Sequence, residues 1–420
     1  MAESANEHAV LAAIDERSVI ETVQSLVRIP SITGDERQVQ DWLAGELIDA
    51  GLAVDFWPLD LRALRADPAY PGEETSRSEG FGLVGSWGGH DGPCLILNGH
   101  VDVVPLGRRE NWTVDPWGGE LREGRIYGRG ACDMKGGLAA GFCAIRAVQR
   151  AGIRLRGSVQ LHSVVSEEDG GLGTLATIRR GHTGDAAVIM EPTELSIIPA
   201  QAGALIFTLR VQGRAAHACV RLEGVSAIEK FLPLMQALQE LERRRNSGVT
   251  HPLLRLHTLP YPLSVGTLHA GNWASSVPDE LVATVRYGVA MGEDLAAARR
   301  DLESAVAVAA AADPWLAEHP PQITWSGGQY APAEIPSDHA VVGLLAECAA
   351  EAGGIETKVE GATYGSDMQL LVNEAHVPTV LFGPGGGRRA HMPDEYVAVD
   401  QVLAATRSLA LLIVRFCGAE

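Results

Sequence analysis

The sequence predicts an α/β protein: a largely parallel sheet flanked by helices forms one domain, and an α+β domain is inserted into it. Three observations carry this expectation. Short, largely apolar runs at 93–98 and 185–190 alternate with helical segments, as parallel strands buried on both faces do. Within 201–328 the texture becomes strand–helix–strand–strand–helix–strand, the order of a sheet with helices on one face. After 328 the α/β texture returns. The first domain is therefore placed on 1–200 and 329–420, the insert on 201–328.

The elements follow in order. Helical periodicity over 15–52 is broken at Pro30, with a second helix from about 35 to 51. The polar stretch 61–79 reads as a surface excursion. Strands are expected at 82–87 and 93–98, an Ala-rich helix at 137–151, a strand at 157–165, a helix at 172–180 and a strand at 185–190. The insert begins with half-exposed alternation at 205–211. It continues with a long helix at 225–246, strands at 263–268 and 281–289, and a helix at 293–311. A helix at 338–352, a strand at 378–382 and a helix at 401–416 complete the chain.

Composition narrows the function. The 420 residues hold 34 Lys plus Arg against 53 Asp plus Glu, a net charge of −19, with 46% hydrophobic residues. That is ample for two or three domains with a large core and excludes wholesale disorder. The acidic balance argues against nucleic-acid binding, which needs clustered cations. Apolar runs at 305–312 and 409–414 fall short of the ~20 residues of a membrane span, so no membrane association is expected. Six cysteines without a C-x-x-C pair, behind an N-terminus that lacks a leader pattern, lead to the expectation of a reducing cytoplasm.

Five motifs carry chemistry. An apolar run ends in His100, with Asp102 two residues on; i and i+2 of extended chain point the same way, so Asp102 can orient the imidazole. The pair could equally satisfy itself in a loop. Glycines crowd around Asp133 just before a helix, marking either a close backbone approach or a helix cap. Ser166-Glu167-Glu168-Asp169-Gly170-Gly171 sets two carboxylates at the C-terminal end of a strand, where ligands of open α/β sheets bind. One can hold a metal while its neighbour acts as a base; a solvated acidic cap is the plainer alternative. Glu191 ends another strand, and a Gly-rich loop from 383 delivers His391. Two histidines and three or four carboxylates after separate strands, with no thiolate required, suit Zn²⁺ or a similar divalent ion.

In this order the motifs resemble the di-zinc amidohydrolase and metallopeptidase superfamily of acetylornithine deacetylase, succinyl-diaminopimelate desuccinylase, aminoacylase and glutamate carboxypeptidase. The resemblance spans nearly the whole chain. It implies two divalent ions, zinc or alternatively cobalt: one on His100, Asp133 and Glu191, the second on Asp133 as bridge, Glu168 and His391. It implies Glu167 as general base, Asp102 as orienter of His100, and a cis peptide after Asp133. The insert would be a dimerisation lid. A sixth match, Gly213-Arg214-Ala215-Ala216-His217-Ala218-Cys219, implies that His217 reaches the substrate carbonyl of the other subunit of a homodimer.

The segment 363–369, with Gly365 and Gln369, resembles a family stretch that often carries arginine where Gln369 stands. Arg221, four residues after His217, is the substitute candidate for holding a substrate carboxylate. The implied activity is hydrolysis of a linear amide in a small molecule, by deacylation of an N-acyl amino acid or related N-acyl amine. The alternatives are a dipeptidase or carboxypeptidase, and a catalytically silent metal-binding protein on the same scaffold. Deformylases acting on aminopyrimidines also belong to the family, so an amino-acid product is not assured.

Overall fold

A computed structural model describes residues 2–420. The chain forms two compact units: one takes the residues up to Ala200 with Glu334–Glu360 and Ser366–Glu420, the other Gln201–Ala333 with Gly361–Gly365.

The first unit opens with helices α1 (Ala2–Ala12), α2 (Glu16–Arg28) and α3 (Arg37–Asp49). Asp15 caps α2 by accepting from Ser18 N–H at 3.2 Å, and Val19, Val23, Leu26 and Val27 recur at helical spacing on its buried face. Next come β1 (Ala53–Pro58), α4 (Leu61–Arg65), β2 (Phe81–Gly88), β3 (Cys94–His100), β4 (Glu120–Arg122) and β5 (Arg125–Tyr127). They are followed by α5 (Gly136–Arg150), β6 (Ser158–Val164), α6 (Leu172–Arg179), β7 (Ala186–Ile189) and β8 (Ile197–Gln201). The second unit holds β9 (Gly203–Gln212), α7 (Ala227–Asn246), β10 (Leu263–Ala270), β11 (Glu280–Val289), α8 (Leu295–Ala311), α9 (Pro314–Glu318) and β12 (Gln322–Tyr330). Then follow β13 (Ala333–Glu334), α10 (Ala340–Cys348), β14 (Val359–Ala362), α11 (Met368–Asn373), β15 (Thr379–Leu381), β16 (Tyr396–Ala398) and α12 (Val399–Cys417).

The main sheet has nine strands in the order β1-β2-β6-β3-β7-β15-β8-β13, with β14 on β8. Its centre, β6-β3-β7-β15, is parallel, with antiparallel neighbours on either side. This is the α/β sheet the apolar runs predict. Every residue of β7, and every residue of β3 after Cys94, is buried. Helices α5 and α12 pack on β3, and α3 and α6 on β2. Lys135, just before α5, is fully buried and donates to the carbonyls of Leu26 (3.0 Å) and Ile29 (2.8 Å) at the end of α2. Burial pulls its ammonium pKa down to about 7.

In the second unit the sheet is antiparallel, in the order β10-β11-β9-β12. Leu205, Phe207, Leu209 and Val211 of β9 alternate onto one face, where Phe231, Leu234 and Leu238 of α7 and Leu302 and Val306 of α8 close the core. The insert has the expected α+β order.

Three expectations need correction. The 61–79 stretch is not simply a surface excursion, because it contains α4 and ends near a fully buried Arg77. Strand β12 runs on to Tyr330, so the second unit extends to Ala333 and also takes 361–365. The expected strands also leave out β1 and β8, which are mostly apolar, and β4, β5, β13, β14 and β16, which are only two to four residues long.

Gly137, in the first turn of α5, lies so close to Met190 that an added Cβ would sit 1.9 Å from its carbonyl oxygen. Gly137→Ala should therefore destabilise the protein by about 1–3 kcal/mol. Gly343→Ala, at an exposed site inside α10 with nothing within 4 Å, should instead stabilise it by about 0.5–1 kcal/mol. Urea denaturation distinguishes the two signs.

Candidate metal centre

Because β6, β3, β7 and β15 are parallel, their C-terminal ends share one edge of the sheet. His100 is the last residue of β3. Glu167 and Glu168 follow β6, Glu191 follows β7, and His391 lies in the loop after β15. Asp133 is carried by an irregular turn before α5, and its peptide bond to Met134 is cis.

The structure brings all six side chains together. His100 Nε2 lies 3.1 Å from Asp133 Oδ1, 3.7 Å from Glu191 Oε1 and 3.8 Å from Glu167 Oε2. His391 Nε2 lies 3.0 Å from Glu168 Oε2 and 3.6 Å from the other Asp133 oxygen, Oδ2. One carboxylate thus faces two imidazoles, one with each oxygen. His391 is half exposed, whereas His100 and Glu191 are buried.

Electrostatics set the demand for a cation. Burial, with Glu191 close by, pushes the Glu167 carboxyl well above the usual carboxylate range despite His100. Burial and then Asp133 push Glu191 the same way. Burial works against a charged His100, but its bond to Asp133 and the charges of Glu191 and Glu167 raise its pKa well above the ordinary value. Asp133 is held low, against burial, by the bond from His100.

The donors fit divalent cations. Nitrogen and carboxylate donors without thiolate suit zinc and its neighbours. His100, Asp133 and Glu168 form one group of ligand atoms within 4.8 Å of one another, and His100, Glu167 and Glu191 a second. Glu191 Oε1 is buried without a hydrogen-bond partner among the described residues, an acceptor that a cation would satisfy.

Asp102 is placed differently from expectation. His100 Nδ1 meets the backbone carbonyl of Asp102 at 2.9 Å, while the nearer carboxylate oxygen is 3.7 Å away. The carboxylate instead accepts from the backbone amides of Glu167 and Glu168, each at 3.2 Å. The main chain of Asp102, and not its side chain, is what meets Nδ1.

His217 is exposed in the second unit, where Cys219 N–H donates to its Nδ1 at 3.1 Å. Arg221 is paired with Glu229 at 2.7 Å, so its charge is already matched. In the same unit Arg286 has no carboxylate partner among the described residues and donates only to the Thr363 carbonyl at 3.4 Å. Gly365 packs on Tyr330, whose Cβ would lie 2.3 Å from an added one. Gln369 is buried, its Nε2 3.5 Å from the Gly170 carbonyl.

Two buried acids escaped sequence reasoning. Glu395 Oε1 accepts from the amides of Cys132 (3.0 Å) and Asp133 (3.1 Å), while its other oxygen pairs with the buried Arg129. The available signal was an arginine between two glycines and an acid four residues past His391. Asp367 accepts from Thr174 Oγ1 at 2.6 Å, and its other oxygen has no hydrogen-bond partner among the described residues; burial pushes its carboxyl up to about 7.

Fold and site together define a class: an α/β protein with a histidine–carboxylate cluster whose donors fit divalent cations, at the shared edge of its parallel strands. The chain belongs to peptidase family M20/M25/M40, whose pattern matches residues 96–415, and is a hydrolase of that family. It is 29% identical to an N-formyl-4-amino-5-aminomethyl-2-methylpyrimidine deformylase of Halalkalibacterium halodurans, over 97% of each chain. It is 31% identical to a succinyl-diaminopimelate desuccinylase of Methylobacterium radiotolerans, over 91% of this chain and 92% of the other. An acetylornithine deacetylase of Salmonella typhimurium is 28% identical over 95% and 97%. Human carnosine dipeptidase 1 shares the fold at 16% identity, with a TM-score of 0.76 over 98% of this chain and 99% of that one.

His391 offers a titration of the cage. Burial opposes its charge, but Glu168 and Asp133 raise its pKa to about 9. In chelator-treated protein the charged imidazole therefore stabilises the fold fully below the unfolded value near 6.5, and this contribution disappears as pH rises through about 9. Half exposure keeps it modest. The stability difference between wild type and His391→Gln, read from urea unfolding, should be present at about pH 6 and gone by about pH 10. A pH-independent difference would remove His391 from this coupling.

Proposed function

We propose that this protein removes an acyl group from a small N-acyl amine or N-acyl amino acid by hydrolysing its linear amide bond. One observation carries the reading: Asp133 presents its two oxygens to two different imidazoles, with Glu167 and Glu168 alongside. The relatives named deformylase, desuccinylase and deacetylase favour acyl transfer to water over peptide cleavage. A silent binding protein has no use for Glu167 beside a complete donor set.

In this reading His100, Asp133 and Glu191 hold one divalent ion, and Asp133, Glu168 and His391 a second, zinc or cobalt by donor type. Bound there, the ions would supply Lewis acidity toward the amide carbonyl and lower the pKa of water. The carbonyl of Asp102 fixes the His100 tautomer with Nδ1–H as donor, which leaves Nε2 free to ligate. Glu167 takes the proton of the attacking water and hands it to the leaving nitrogen.

His217 is assigned, from a second copy of the chain, to the oxyanion. With Nδ1 accepting from Cys219, a neutral ring carries its proton on Nε2, facing outward as a donor. The homodimer would form through the second unit, where Leu222, Leu232, Leu268 and Trp273 are exposed and β10 borders the sheet. Six unpaired cysteines accord with a cytoplasmic setting.

Chelated protein supplied with Zn²⁺ or Co²⁺ should regain hydrolysis of N-formyl, N-acetyl or N-succinyl amines. Turnover of dipeptides alone would replace this reading by the peptidase one. Glu167→Gln should lower kcat by about 10²–10⁴-fold while ion content stays unchanged. Mixing His217→Ala with Glu167→Ala subunits should restore activity in heterodimers. Verified exchange without recovery would remove His217 from action across the dimer.

A further inference from the structure

The turn that carries Glu167 and Glu168 is held by two motif carboxylates, Asp102 and Asp169, and by charges outside the motifs. Asp102 accepts from both of its amides and from Thr33 Oγ1 at 3.1 Å. Asp169, the next residue of the turn, accepts from Ser166 Oγ and from the amides of Thr75 (3.0 Å) and Glu74 (3.3 Å). The segment 71–77 therefore rides on the turn, so closely that a Cβ on Gly170 would lie 2.5 Å from the Gly72 carbonyl oxygen.

Arg77 closes this segment, and its side chain has no exposed surface. Its Nη2 and Nη1 reach the two oxygens of Glu36 at 3.2 and 3.4 Å, and Nη2 lies 3.7 Å from Asp169 Oδ1. Glu36 accepts in turn from Gly34 N–H at 2.7 Å, beside the Thr33 that donates to Asp102. Burial works against the guanidinium charge, but Glu36, Asp169 and Asp102 all favour it. Buried ion pairs are poor stabilisers, since apolar replacements of similar volume often serve as well. The cluster is better explained by what it holds in place.

We propose that Arg77 is a positioning residue for the reaction: by neutralising Glu36 and Asp169 it fixes the Asp102-bound turn and so aims Glu167 and Glu168. This rests on the assignment of Glu167 as base and Glu168 as ligand. Without the guanidinium, Glu36 and Asp169 each keep Asp102 as a like-charged neighbour, and that repulsion falls on the carboxylate that holds the turn.

The test compares Arg77→Met, Arg77→Lys and Glu167→Gln, each loaded with Co²⁺. It reads kcat, KM, bound Co²⁺, the visible absorption of the Co²⁺ and the melting temperature. Arg77→Met should lower kcat about 10- to 100-fold with KM little changed, and should alter the Co²⁺ spectrum. Arg77→Lys, which keeps the charge, should recover most of both. A folded, loaded Arg77→Met with wild-type kcat and spectrum overturns the proposal. If Arg77→Met does not fold, the double variant Arg77→Met/Glu36→Leu removes both charges. Asp169 is then left without its cation, so a folded double variant with lowered kcat and an altered Co²⁺ spectrum supports positioning, and one with wild-type kcat and spectrum overturns it. Full activity in Glu167→Gln would overturn the assignment of the base instead, while the Co²⁺ spectrum of Arg77→Met still reports on Glu168.

Discussion

The common polarity of β6, β3, β7 and β15 is the constraint on which the rest of this molecule depends. Parallel strands end on one edge, so residues far apart in sequence emerge side by side from rigid backbone. That edge gathers four carboxylates and two imidazoles into a space where burial disfavours charge. No rearrangement of the side chains alone relieves such crowding. Divalent cations fit the donor set gathered there.

A second ring of charge works on the backbone. Asp102 accepts from the amides of Glu167 and Glu168, and Glu395 accepts from those of Cys132 and Asp133. Each pairs a carboxylate with two consecutive N–H groups of a turn that no helix or strand satisfies. Arg129 backs Glu395, and Arg77 faces the carboxylates around Asp102. The donors of the cage are thus aimed through their main chain.

The sequence made the strand-end donors legible because each one sits where an apolar run or a glycine cluster stops, and stops are local signals. His100, Glu191 and the Glu167–Glu168 pair could be read in this way, and so could the switch from parallel to antiparallel texture at the insert. Arg77, Glu36, Arg129 and Glu395 could not. Arg77 and Glu36 lie in polar stretches that resemble solvated loop, Arg129 and Glu395 offer only a glycine-flanked arginine and an acid near His391, and each partner is remote: Arg77 meets Glu36 across 41 positions and Arg129 meets Glu395 across 266. Burial of a charge is decided by that partner, which one-dimensional patterning does not contain. Asp102 illustrates the same limit at short range, since the period-2 argument chose its carboxylate and the structure supplies its carbonyl.

The way the second unit begins and ends gives it a modular character. Its first and last strands are antiparallel neighbours, with Ala204 opposite Tyr330, so its entry and exit lie about 5 Å apart, one strand spacing. A chain that leaves and returns at nearly the same point can be spliced into a host loop without disturbing the host core. Apart from the strap at 361–365, the unit is a cassette. Such a cassette can be remodelled by substitution or insertion while the strand ends of the host sheet stay as they are.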